Sequence, residues 1–149
     1  MSIPPVLRHL DDLTPHLIPP VETVKLACLA GPADGTPTSV FFEVWEPGGA
    51  QPDNSHPDSV EIFVFLSGHG IAYSDEHSVD VGPGDVLILP AGSVHRIENT
   101  SISERMYTVT IMADDDGALP GGFAELVAAG PPALWDDVDE AALGSTKYR

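Results

Sequence analysis

An all-β domain of antiparallel strands is what this sequence predicts, and three observations predict it. Between Thr23 and Met112 the apolar residues fall in short runs of strand length. The runs are rich in Val, Ile, Phe and Tyr, which suit a pleated, half-buried surface. They are punctuated at close spacing by Gly, Pro, Asp and Ser, so the strands form a sandwich or barrel and not a parallel sheet.

The elements follow in order. Residues 1–22 carry Pro4, Pro5, Pro15, Pro19 and Pro20, a density that precludes a long helix. Leu10-Asp11-Asp12-Leu13 can form one turn, and the rest reads as an extended arm over the domain or over a partner subunit. Strands are expected near 23–29, 38–46, 60–66, 70–74, 77–81, 85–89, 94–98 and 104–112. Gly82-Pro83-Gly84-Asp85 fits a type II turn, with Pro83 pre-setting φ and Gly84 free to take a positive φ. Leu89-Pro90-Ala91-Gly92 fits a type I turn, and Gly68-His69-Gly70 breaks a strand that would otherwise run on. The barrel therefore spans 23–112. Residues 113–149 read as an acidic loop from Asp114 to Gly122 and a helical tail. Phe123–Ala129 and Asp136–Leu143 are its short helices, the second with acids near its N-terminus.

A length of 149 residues suits one domain, large enough to bury a core. The apolar fraction of 42% is ordinary, but 6 basic residues against 23 acidic ones give a formal charge of −17. Such a surface repels phosphate backbones and anionic membranes, which excludes nucleic acid and lipid surfaces as partners. Solubility is the plainest reading of the acidity. The single cysteine, Cys28, allows no internal disulfide and no multi-cysteine zinc cluster. It lies in an apolar run with nothing nearby to lower its pKa, so a buried inert thiol is expected. No secretory signal and no apolar run of membrane-spanning length stand in the sequence, and the expectation is a cytoplasmic protein.

Chemistry concentrates in two stretches, Gly48 to Gly68 and Gly84 to Asn99. The first holds Asn54, His56 and Glu61, and the second holds His95. His56 and Glu61 lie at either end of a turn into a strand. Within that strand Glu61, Phe63 and Phe65 share one face, because side chains alternate with period two. His95 opens another strand just after a tight turn. Divalent transition ions take imidazole and carboxylate ligands from several directions. A buried Glu61 without a cation would be costly, so something positive is expected to meet it.

These residues also carry a resemblance. Gly48, Asn54, His56, Glu61 and Gly68 stand at the spacing of the first motif of the cupin superfamily, G-x5-H-x-H-x(3–4)-E-x6-G. Gly84, Pro90, Gly92, His95 and Asn99 fill every position of its second, G-x5-P-x-G-x2-H-x3-N. The resemblance covers roughly residues 38–112 and is to small single-domain, bacterial-type metal-binding cupins. It implies a cupin-type antiparallel jelly-roll barrel with short C-terminal helical segments and a metal inside. Position by position, it implies Asn54, His56, Glu61 and His95 as the metal set, with Asn54 where the first histidine belongs. An amide oxygen there ligates a hard metal weakly, or it hydrogen-bonds a water or substrate instead. In the second case two histidines and one carboxylate remain, the facial triad of non-haem iron(II) oxygenases.

The expected cofactor is one divalent transition ion, iron first, with zinc, manganese or nickel as alternatives. The expected function is a metal-dependent enzyme acting on a small organic molecule, of iron-oxygenase type. The alternatives are a redox-neutral lyase, isomerase or decarboxylase, and a non-catalytic small-ligand-binding protein. A homodimer is expected by the same resemblance. The remaining notable side chains have plainer expectations. Phe41, Trp45, Phe63, Phe65 and Tyr107 read as core, and His9, His16, His69 and His77 as exposed spectators. Arg96 should point away from His95, Asp53 and Asp58 should be solvated at the rim, and Asn99 should brace backbone.

Overall fold

Alternation along each strand decides which residues meet inside. The structure, a computed structural model, describes residues 2–113 and 122–143. Its strands are β1 (His16–Leu17), β2 (Val24–Ala30), β3 (Ser39–Trp45), β4 (Glu61–Ser67), β5 (Gly70–Ser74), β6 (His77–Val81), β7 (Val86–Leu89), β8 (His95–Asn99) and β9 (Met106–Met112). Two short helices, α1 (Gly122–Ala128) and α2 (Asp137–Ala142), follow. All the pairings are antiparallel, in a six-stranded sheet of order β1-β2-β3-β9-β4-β7 and a three-stranded sheet of order β6-β5-β8. Where the β3–β4 connection passes β8, it forms the bridges Ala50↔Glu98 and Asn54↔His95, which tie the two sheets together.

Inward-facing residues of both sheets make one core. Val24 and Leu26 of β2, Phe41 and Trp45 of β3, Phe63 and Phe65 of β4, and Met106 and Met112 of β9 are all buried. Leu89 and Ile97 join them from β7 and β8. The aromatic residues assigned to the core are there, with Trp45 Nε1 donating to Thr108 Oγ1 at 3.1 Å. Asn99 is buried and works as a backbone brace. Its amide nitrogen donates to the carbonyls of Trp45, Glu46 and Glu104, and its oxygen accepts from the Ser101 N–H.

The outer face of the large sheet is half covered. Phe42, Val44 and Tyr107 pack under Leu10, Leu29, Trp135 and Leu143. The N-terminal segment thus lies on its own domain, the first of the two expected placements. It is pinned there by Leu17 N to Pro131 O (2.9 Å), Ala133 N to Pro15 O (2.8 Å) and Trp135 Nε1 to Leu13 O (3.0 Å). Beneath α2, Asp139 is fully buried, but it is met by Lys25 and by Arg105 Nη1, and it accepts from the Tyr107 hydroxyl. Burial first, then the Asp139 charge, pushes the Tyr107 phenol up to about 12. Arg105 also forks onto Asp136, holding that carboxyl well below the usual range. Among the described residues no helix is long and apolar enough to cross a membrane.

Three expectations need correction. The turn before His95 closes one residue later than read, with Ser93 N bonded to Pro90 O at 3.3 Å and Gly92 at φ +82°. It is type II, not type I, because the glycine supplies the left-handed position a type II turn requires at its third residue. His9 and His16 are not exposed spectators. His9 Nδ1 accepts from Asp11 N at the 3-10 turn Leu10–Asp12, and His16 Nδ1 meets the Gly130 carbonyl at 3.0 Å. Cys28 is half-buried, with its thiol directed to Ala30 O. By contrast Gly82–Asp85 closes as expected, with Asp85 N on Gly82 O at 3.0 Å and Gly84 at φ +86°.

Two substitutions and a surface control should separate these supports by urea unfolding. Asn99→Ala strands buried carbonyls and should cost about 2–4 kcal/mol. Asp139→Ala leaves buried Lys25 without its partner and should cost about 3–5 kcal/mol. Asp53→Ala, at an exposed pair with Arg96, should stay within about 0.5 kcal/mol.

Candidate metal centre

Backbone pairing assembles the site. Asn54 N donates to His95 O at 3.0 Å, and His95 N returns a bond to Asn54 O at 2.9 Å. Gly92 N, in the turn leading to β8, donates to the His56 carbonyl at 2.9 Å. The loop bearing His56 is thereby fastened to the turn that delivers His95. Glu61 opens β4 between Leu89 of β7 and Met112 of β9. It faces inward because it shares the period-two face of Phe63 and Phe65.

His56, Glu61 and His95 converge, with their ligand atoms all within 4.8 Å of one another. His95 Nε2 lies 2.7 Å from Glu61 Oε2, and His56 Nε2 lies 3.5 Å from the same oxygen. Ligand atoms at about 2.0–2.2 Å from one ion sit roughly 3–3.5 Å from each other; the His56–Glu61 spacing falls in that range, and the His95–Glu61 pair is closer. The protonation pattern agrees. His95 Nδ1 is 3.2 Å from the Ser93 carbonyl, which can only accept, so this contact favours a proton on Nδ1. That leaves Nε2 as a lone pair. Both His95 Nε2 and Glu61 Oε2 are buried and neither takes part in a hydrogen bond. Two acceptors that close repel unless a positive charge, a proton or a metal ion, lies between them. The residues present therefore fit a divalent ion.

Asn54 lines the same space, but its amide nitrogen is committed to the carbonyls of Pro52 (2.9 Å) and His95 (3.3 Å). Only Oδ1 remains for an ion or a bound molecule. Phe123 of α1 packs edge-on against His56 (5.5 Å between ring centroids) and against Phe41 (5.6 Å). A cavity of about 60 Å³ results, lined by residues that include Glu43, Gln51, Asn54, His56, Glu61 and Phe123. A groove of about 640 Å³ runs past Arg8, Cys28 and Ala124 and contains none of the three converging residues.

Glu43 is the residue that sequence reading passed over. It stands on β3 between Phe41 and Trp45, both buried in the core. Burial, reinforced by the negative charge of Glu61, pushes its carboxyl up to about 8, against the opposing effect of neighbouring threonines. The signal was a single carboxylate on the apolar face of Val40-Phe41-Phe42-Glu43-Val44-Trp45. The other polar candidates lie outside the cluster. Arg96 points away from His95, stacking 4.1 Å over Tyr73 and pairing with Glu98 and Asp53. Asp58, His69 and His77 are exposed.

Residues 41–112 match the cupin domain family model. No curated protein sequence matches the chain. Among solved structures, a predicted oxalate decarboxylase from Thermotoga maritima is similar at 24% identity and TM-score 0.64, over 72% of this chain and 97% of that one. A sugar phosphate isomerase of the cupin superfamily from Silicibacter pomeroyi is similar at 20% identity and TM-score 0.62, over 73% and 75%. KdgF from Halomonas sp. is similar at 12% identity and TM-score 0.56, over 65% and 84%. At these identities the likeness is one of fold. The jelly-roll arrangement of the two sheets, both loop motifs in place and the match over residues 41–112 give one conclusion: residues 41–112 form a cupin domain.

Proposed function

We propose that this protein is a metal-dependent enzyme acting on a small organic molecule, with the ion held by His56, Glu61 and His95. The observation that carries this reading is the convergence of His56, Glu61 and His95, whose ligand atoms all lie within 4.8 Å of one another, with Glu61 and His95 buried. A bound divalent ion would supply Lewis acidity or, as iron(II), oxygen activation. The chain's own residues do the rest. Ser93 holds the His95 ring in the tautomer that presents Nε2, and Phe123 keeps water from one side of the site. Asn54 braces the β8 backbone and offers Oδ1 to the ion or to a ligand.

Two histidines and one carboxylate with positions left open is the ligand count of non-haem iron(II) oxygenases, which makes that subtype the first reading. A redox-neutral lyase, isomerase or decarboxylase is the second. One observation favours it: Glu43, a second buried carboxyl in the same cavity, is suited to moving protons. Metal analysis of protein purified without chelator separates the two, followed by anaerobic iron(II) loading and oxygen uptake across a metabolite panel. Iron with substrate-dependent oxygen uptake supports the oxygenase. Zinc, manganese or nickel without oxygen uptake supports the redox-neutral reading, and protein that refuses every one of these ions sinks both.

A homodimer is part of the same proposal. The outer face of β4 and β7 is apolar, with Leu66, Val86 and Ile88 exposed, and burying it against a second copy would remove that surface from water.

Three outcomes are expected. Glu61→Gln and His95→Ala should each weaken metal binding by more than about 100-fold in equilibrium dialysis, whereas Asn54→Ala should keep one ion per chain with a smaller loss. Thermal unfolding should move upward on metal saturation, by about 2.7 kcal/mol of stability at a hundredfold excess over Kd, and chelator should reverse it. Ile88→Glu should shift sedimentation from dimer to monomer.

A further inference from the structure

We propose that the N-terminal arm and α1 build an apolar subsite beside the metal cavity, so that the ligand of this site is a small molecule with a polar head and an apolar tail. The inference rests on the metal-centre reading for the head, and on the packing of the flanking segments for the tail. The tail space is a second cavity, of about 270 Å³. Leu17, Ile18 and Pro19 of the arm and Phe123, Leu126 and Val127 of α1 line it. Ala129 and Gly130 complete the lining, and no side chain in it is polar.

The two walls are fastened to each other. Leu17 N donates to the Pro131 carbonyl at 2.9 Å, and His16 Nδ1 meets the Gly130 carbonyl at 3.0 Å. Gly130 permits this close approach, because a Cβ there would collide with the Leu17 carbonyl oxygen. The cavity is therefore formed before any ligand arrives, as small-molecule sites usually are. Its whole lining lies outside residues 41–112. The subsite is thus an addition that this chain's flanking segments make to the cupin domain.

Two side chains join this space to the metal cavity. Ile18 and Phe123 line both. Each packs against the main core yet stays half-buried, because open space lies beside it. Phe123 also meets His56 edge-on, so a tail lying against its ring brings the head to a candidate ligand of the ion. The two volumes divide the ligand. The metal cavity holds about 60 Å³, and a water's share of the liquid is about 30 Å³, so the head has very few heavy atoms. An apolar cavity of about 150 Å³ accepts benzene, so the larger space takes a substituted ring or a short alkyl chain. Its walls offer no partner to a charged group, which excludes a charged tail. Leu126 is 57% exposed, and a bound tail would take part of that surface out of water.

A series of linear alcohols from 1-propanol to 1-hexanol tests the subsite, read by NMR of the isoleucine, leucine and valine methyl groups. Affinity should rise about threefold to fourfold for each added methylene until the space is full. The shifted methyls should be those of Leu17, Ile18, Leu126 and Val127. Leu126→Glu changes an exposed position, so the fold should survive, and the charge should flatten the series. Affinity that ignores chain length, a series unchanged by Leu126→Glu, or shifts confined to Leu66, Val86 and Ile88 overturns the proposal.

Manganese(II) tests the orientation. In protein loaded with it, bound 1-hexanol should lose signal most at the protons beside the hydroxyl and least at the terminal methyl. Equal or reversed broadening overturns the placing of head and tail. Protein that takes up no manganese, by dialysis, instead overturns the metal-centre reading. Chain-length dependence in that metal-free protein would still support the apolar subsite.

Discussion

Two backbone hydrogen bonds between Asn54 and His95 hold the long β3–β4 connection against the first residue of β8, and the site depends on them. That bridge joins the loop carrying His56, which leads into β4 of the larger sheet, to β8 of the smaller one. With it, the carbonyl of His56 also receives the Gly92 N–H of the following motif, and the imidazoles come to 5.6 Å between ring centroids. The Asn54 side chain reinforces the same junction through its bond to the His95 carbonyl. An asparagine serves this bracing because its amide nitrogen can donate to two carbonyls at once.

The molecule treats its buried charges in two opposite ways. On the outer face, Asp139 is met by Lys25, Arg105 and the Tyr107 hydroxyl. That cluster satisfies itself, and it clamps α2 and the C-terminal segment onto the sheet. Inside, Glu61 and Glu43 face imidazoles and threonines but no lysine or arginine among the described residues. Buried acceptors left in this state cost stability. Their retention at one end of an otherwise apolar core is the physical argument for a bound cation and for proton chemistry there.

The strand pattern was legible because turn chemistry and period-two alternation are local. Each of the eight expected strands is present within two residues of its expected bounds, and both C-terminal helices are present. β1 was missed because two residues between Pro15 and Pro19 carry no pattern of their own. They pair only because Lys25 and Leu26 of β2 are there to receive them. The histidines of the arm were misjudged for the same reason, since the Gly130 carbonyl that receives His16 is 114 residues away. Glu43 was half legible, as the odd carboxylate on the Phe41–Trp45 face. Its meaning required knowing that this face and Glu61 share one cavity.

Sequence alone determined the class of fold, the turns that end the strands, and the candidate ligands His56, Glu61 and His95. These follow from residue type and short-range spacing, where backbone sterics and alternation leave few choices. Only the tertiary structure decided which side chains meet. Sheet order, the Asn54–His95 bridge and the seating of α1 over His56 depend on packing between segments far apart in the chain. So do the commitment of the Asn54 nitrogen to carbonyls and the placing of Glu43 beside Thr108 in the cavity that Glu61 lines, and no local pattern encodes them.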